Sequence, residues 1–469
     1  MPTHVPGPFR IPKRLSVRAP LRLALAVVLV VAAVAGIVAA VRGCRPHPAG
    51  PSADETVYVP PGEGGAPTTF SGGQTSQATF SDIPVVMTAR VSHLSFQGVV
   101  KSSLCPDGRS YLVNTAVQRG ARKYMGFVVY DTEGRPLWEH AFTDTSYRSE
   151  NAAYAAGGKV VAGEAVDYEE KGEFHLLDSA GNVLLNRPIS GWTQAVVSDD
   201  GSALALINES SHGLVVFESP GYREVWSTTV GQGATGVFIG NGPRLLLLES
   251  GRARLFNAGG KVVWSVNIPG GGRWNAAVSP DQRYIAATTP DPDSTVYLYS
   301  VADGSLVWSQ FLVAGGDKHL AFSPDGGSLV VYDVGQHGDI YLLKTSTGEI
   351  LWRFRLEGKK DSLITVEDLQ YSATGQAIIA DIVEMTQAGD TYTNYHYLLD
   401  LTADGRALWI SPLGAEVDVD LLAASGLALV TTNNLIDPSG NVVNSVTLIS
   451  YTAEASTPPA ASTTGAGGP

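Results

Sequence analysis

Between about residue 95 and residue 450 the chain repeats a two-part phrase of short strands, eight times over. The first part is a Ser-Pro-Asp-Gly type of turn feeding an apolar strand. It reads CPDGRSYLV from Cys105, SDDGSALALI from Ser198, SPDQRYIAA from Ser279, SPDGGSLVV from Ser323 and SATGQAIIA from Ser372. The second part is an apolar strand, a turn with Gly, and a closing Trp. Copies are FVVYDTEGRPLW ending at Trp138, LVVFESPGYREVW at Trp226, ARLFNAGGKVVW at Trp264, VYLYSVADGSLVW at Trp308, IYLLKTSTGEILW at Trp352 and YLLDLTADGRALW at Trp409. FHLLDSAGNVLL ends on Leu185 in place of Trp, and NNLIDPSGNVVN (Asn433 to Asn444) reads as a degenerate eighth copy. A period of about 40–45 residues built from strands predicts a β-propeller of four-stranded blades.

The fold class is therefore all-β, an eight-bladed β-propeller over residues 82–450. A seven-bladed ring is the alternative, should the copy ending at Asn444 complete the first blade. Closure is expected from a strand near Ile83 to Val91 pairing with the last blade. Gly134, Gly260, Gly304, Gly348 and Gly405 sit where a hairpin needs positive φ. Trp follows four residues after each of them, and five after Gly221. A bulky ring at a fixed place suits the wedge between stacked blades. Trp192 and Trp274 fall outside the phrase and are candidates for contact with a partner.

The N-terminal region is a different physical object. Leu23 to Val41 holds 19 residues without a charge, long enough to cross a bilayer as a helix. Arg10, Lys13, Arg14, Arg18 and Arg22 precede it, so the positive-inside rule leaves residues 1–22 cytoplasmic and the rest of the chain outside. A retained single-pass signal anchor, with the propeller extracytoplasmic on the cell membrane, is the expectation. Cys44, after Val41-Arg42-Gly43, resembles a lipid-attachment box in which Arg42 fits poorly. Residues 42–81 are rich in Pro, Gly, Ser and Thr and read as a flexible tether, and residues 451–469 as a disordered tail.

Charge divides at the same place. The formal net charge is −13, with seven basic groups and no acid in the first 45 residues, which leaves −20 for the remainder. A domain that acidic repels nucleic acid and anionic headgroups. Only Cys44 and Cys105 are present, too few for a disulfide framework.

Catalytic motifs are missing from the sequence. The nine His residues show no HExxH, and neither CxxC, GxSxG nor a P-loop occurs. Gly231, Gly233 and Gly236 spell GxGxxG, but a strand follows them rather than a helix, so they read as a loop. Glu416, Asp418 and Asp420 alternate, and a strand would present all three carboxylates on one face, a weak candidate for calcium. Asp381, Glu384 and Asp390 flank the longest insertion of the series. With Tyr392, Tyr395, His396 and Tyr397 they make an aromatic and acidic loop, in which Asp390 and Tyr392 are candidate partner contacts.

IYLLKTSTGEILW carries a specific likeness. It resembles the repeat of the pyrroloquinoline-quinone-like propellers, and the Ser-Pro-Asp-Gly half is shared with WD-repeat-like bacterial propellers. That family holds both quinone-dependent dehydrogenases and non-catalytic scaffolds. The dehydrogenases are marked by an adjacent Cys pair, which this chain lacks. The resemblance thus implies the propeller and not the quinone cofactor. The leading expectation is a membrane-anchored scaffold binding a protein or cell-envelope partner. The alternative is a quinone-dependent or hydrolytic enzyme working in the channel, and a third is an inward-signalling sensor.

Overall fold

Short apolar strands joined by tight turns satisfy their backbone groups only by pairing. Here they pair with their sequence neighbours. The computed structural model describes residues 74–451, apart from 97–99, 145, 148, 192, 209, 241, 250, 268–274, 289–293, 313–316, 335–337, 359–361, 389–390, 423–424 and 437–441. The strands form eight antiparallel four-stranded sheets, taken up in chain order. Blades 1 to 7 span residues 101–141, 149–190, 193–229, 235–267, 275–311, 317–357 and 362–415. Blade 8 joins residues 417–450 to an outer strand from the other end of the domain, Ala89–Phe96. Blade 1 also carries a small extra hairpin, Val117–Arg119 with Arg122–Tyr124.

Eight separate apolar clusters hold the ring, one between each pair of adjacent blades. The last joins Leu429, Val446 and Leu448 of blade 8 to Leu104, Tyr111 and Val113 of blade 1, so the ring is closed. Polar groups near the ends of the second strands add pins between blades. Asn114 donates to the Ala152 carbonyl (3.1 Å), Glu164 accepts from the Thr193 amide (3.1 Å), and Thr288 donates to the Lys318 carbonyl (2.7 Å).

The Trp of the repeat has a more specific job than filling a wedge. Five of the six rings lie on the hairpin glycine of the following blade: Trp138 on Gly181, Trp226 on Gly260, Trp264 on Gly304, Trp308 on Gly348, Trp352 on Gly405. A Cβ at any of these glycines would come within 2.7–2.9 Å of the ring. Four of the five indoles also donate to a carbonyl of that turn: Ser179 (3.1 Å), Val301 (3.0 Å), Thr345 (2.8 Å) and Ala403 (2.9 Å). Where blade 2 has Leu185 instead, the next hairpin glycine, Gly221, has open space around it.

Three sequence expectations are corrected. The phrase from Asn433 to Asn444 belongs to the hairpin between the second and third strands of blade 8, with Ile436 opposite Val442. Its apparent place in the repeat arose because the true final hairpin does not exist, the outer strand arriving from residues 89–96. A strand from this end does seal the last blade as expected, but it spans Ala89–Phe96 and overlaps Ile83 to Val91 only at residues 89–91. Residues 80–86 instead run along the outside of blade 7, where Ile83 is buried, and Ile410 donates to the Pro84 carbonyl while Val86 donates to that of Ile410. The stretch read as tether up to residue 81 also contains a strand: Gln74–Thr79 pairs in parallel with the outer strand of blade 6, Gln74 opposite Trp352. The eight-bladed form stands.

Among the described residues no helix is long and apolar enough to cross a membrane. The apolar segment 23–41, Cys44, Trp192, Trp274 and Asp390 lie outside the described residues.

Candidate functional site

Blade 7 departs from the regular pattern. Its two middle strands, Ala377–Ala388 and Thr391–Thr402, are 12 residues each, so their hairpin overhangs one rim. Side chains alternate along it. Asp381, Val383, Asn394 and His396 share one face, whereas Glu384 and Tyr397 share the other and hydrogen-bond there at 3.2 Å. The insertion acids thus serve two different surfaces, which spacing alone does not reveal.

The first of these faces forms a wall of an acidic pocket of about 450 Å³, completed by Glu367 and Asp368 and by Glu416 and Asp418 at the start of blade 8. Among the described residues His396 is its only cation-capable lining group. Its Nδ1 lies 3.1 Å from the buried Asp381 carboxylate. Burial alone would lower the imidazole, but the hydrogen bond and charge of Asp381, with the charges of Glu367 and Asp418, raise it above its ordinary value. Burial likewise raises Asp381 against the pull of His396, and raises Glu367, which also feels the Asp381 charge. Glu416 sits in the left-handed region (φ 52°) and accepts from the Asn394 amide at 2.7 Å, tying the hairpin to the next blade.

Glu416, Asp418 and Asp420 do not act as one set. Glu416 and Asp418 line the pocket, while Asp420 turns to blade 1 and accepts from the Leu104 amide at 2.6 Å. Burial pushes Asp420 up to about 6. Among the described residues no group of three His, Cys, Asp or Glu side chains converges well enough to hold a metal ion. Tyr392 and Tyr395 are exposed beside the hairpin tip, at 58% and 40%. The pocket lining carries five carboxylates and one imidazole, a set that favours a positively charged group. Sequence reasoning missed Glu367, Asp368 and Asn394. Their signal was weak, because VEDLQY reads as one more inner strand and only the fold brings it opposite His396.

A smaller pocket of about 360 Å³ lies between blades 2 and 3, lined by Asn151, Tyr154, Glu164 and Gln194 among others. Burial pushes Glu164 up to about 7, opposed by the Thr193 amide.

A family model described as outer membrane protein assembly factor BamB matches residues 292–449. Among solved structures, the C-terminal WD40 domain of Sif2 is similar over 78% of this chain and 99% of its own, at 9% identity and a TM-score of 0.55. BamB from Moraxella catarrhalis is similar over 78% of this chain and 100% of its own, at 13% identity and a TM-score of 0.47. No curated protein matches the sequence. The chain is a β-propeller with PQQ-like and WD40-like repeats. The region matched by the family model includes blade 7, the acidic pocket and the overhanging hairpin.

Proposed function

We propose that this chain is a protein-binding scaffold, held at a membrane by residues 23–41 with the propeller on the extracytoplasmic side. The observation that carries the binding part is the blade 7 rim: a five-carboxylate pocket with the exposed Tyr392 further along the same face of an overhanging hairpin. Exposed aromatics beside a charged pocket are the usual anchors of a protein interface. The sign of the pocket asks for a Lys- or Arg-bearing partner. The match to a family named for an assembly factor supports the same reading. The membrane part rests on the 19 uncharged residues and the five basic groups before them.

The test is photo-crosslinking from position 392 in intact cells. A discrete protein adduct, lost when Glu416 and Asp418 are both changed to Lys, is the expected result. Protease added outside the cells should remove the propeller while leaving residues 1–22 protected. No adduct from this rim or from the outer edges of the blades would overturn the scaffold reading. Saturable binding of pyrroloquinoline quinone with dye reduction would replace it by the enzyme alternative.

A further inference from the structure

The outer edge of a propeller blade is an unpaired strand, and this chain already shows what fits there. Residues 74–79 add a fifth strand, in parallel, to the outer edge of blade 6, and residues 84–86 continue onto the edge of blade 7. The effect on the repeat tryptophans is visible within the molecule. Trp352 and Trp409, in the two covered blades, are 4% and 8% exposed. Trp138, Trp226, Trp264 and Trp308, in blades without a cover, are all more exposed than these.

Among the described residues nothing pairs with the outer strands of blades 1 to 5. Proteins guard such edges with charge or proline. Blade 1 has Pro136 and Glu139, the latter paired with Arg119 at 3.0 Å. Blade 2 has Pro188 and Arg187, and Arg187 meets Glu224 of blade 3 at 3.5 Å. Blade 3 adds Arg223. Within their outer strands blades 4 and 5 have none of these devices, Lys261 standing in the turn just before the first. Their outer strands read VVWSVN (Val262–Asn267) and LVWSQF (Leu306–Phe311), without a charge or a proline. Val262, Val263, Leu306, Val307 and Phe311 are 38–51% exposed on them. The two unguarded edges are adjacent, and blade 5 abuts the edge already covered in blade 6.

We propose that the outer edges of blades 4 and 5 are a docking surface for an extended β-strand of a partner protein. This rests on the scaffold reading and assigns it a second contact, separate from the acidic rim. The occupant is a strand with alternating apolar residues and a neutral or basic balance. The backbone mode is the one residues 74–79 use on blade 6, and a strand of that kind is recognised by ladder hydrogen bonds plus alternate side chains. A second copy of this chain is disfavoured, because two domains of net charge −20 repel at close range.

The test uses the full chain and a twelve-residue peptide alternating valine with threonine and lysine, read by amide hydrogen exchange. At ten times its Kd the peptide should slow exchange about tenfold in Val262–Asn267 and Leu306–Phe311, and leave Pro136–Ala141 and Arg223–Thr229 unchanged. Val263→Lys and Val307→Lys should abolish that protection without altering the far-ultraviolet circular dichroism. Protection spread over all five edges, or none at any, overturns the proposal. So does a mass in solution that is dimeric and becomes monomeric in Val263→Lys, which would assign the edges to a second copy. In cells, a crosslinked partner that persists in both Lys variants sinks this inference and leaves the scaffold standing, whereas absence of any partner sinks the scaffold itself.

Discussion

Gly348→Ala tests the reasoning about the repeat most sharply. Gly348 has φ +73°, and a Cβ there would lie 2.8 Å from Cδ2 of Trp308. Gly221 has φ +81° but no neighbour within 4 Å of such a Cβ. Both substitutions incur the left-handed backbone strain, about 1–2 kcal/mol. Only Gly348→Ala adds overpacking against an indole, about 1–3 kcal/mol more. Trp308→Leu reproduces the residue pair that blades 2 and 3 use naturally, at the expense of the hydrogen bond to the Thr345 carbonyl. In that background Gly348→Ala should fall to the cost of Gly221→Ala, a coupling of about 1–3 kcal/mol in a double-mutant cycle. Urea unfolding followed by circular dichroism and by Trp fluorescence measures each corner, and agreement of the two probes licenses the cycle. Equal costs at the two glycines, or a coupling near zero, would refute the idea that glycine is kept here for the ring as well as for the turn.

Three other outcomes follow from buried groups. Lys318 and Asp333 face each other at 3.2 Å, 0% and 1% exposed, so Lys318→Met should destabilise by about 3–5 kcal/mol in urea unfolding by stranding a charge. Burial holds Glu164 at about 7 in the folded chain against an ordinary 4.5, so the folded form binds its proton more tightly. Its contribution to stability is complete below pH 4.5 and is lost as pH rises through 7, and Glu164→Gln should flatten that decline between pH 5 and 7.5. Cys105 is buried and its thiol is pushed up to about 11, so peptide mapping after iodoacetamide at pH 7 should find it unmodified in native protein and alkylated in urea.

The blade count was legible because each turn and each Trp recurs at fixed spacing, and local hairpins carry their own signal. What the sequence hid was non-local. Phe80 sits at the end of the Ser- and Thr-rich stretch read as tether, yet it packs on the cluster between blades 6 and 7, where Ile83 is buried. The sealing strand 89–96 has no turn linking it to its partner, so no hairpin signature exists to find. At the candidate site, Glu416 and Asp418 were visible as alternating acids, but Asp420, one step further along the strand, meets the Leu104 amide of blade 1, a partner distant in sequence. Asp381 and His396 lie on diagonal positions of one hairpin face, a relation that depends on register and on a 12-residue strand length no composition reveals.

The account depends on a ring sealed by its first full strand, and the pairing of residues 89–96 with 442–450 can be trapped directly. His93 and Thr447 are directly opposed and joined by a 2.8 Å side-chain hydrogen bond. Opposed positions on antiparallel strands meet the spacing a disulfide needs. His93→Cys with Thr447→Cys, in a chain whose Cys44 is Ser, should oxidise to an intramolecular link that speeds migration on a denaturing gel and reverses with reductant. A folded protein that forms no such link, or links only between copies, would contradict the closed eight-bladed ring.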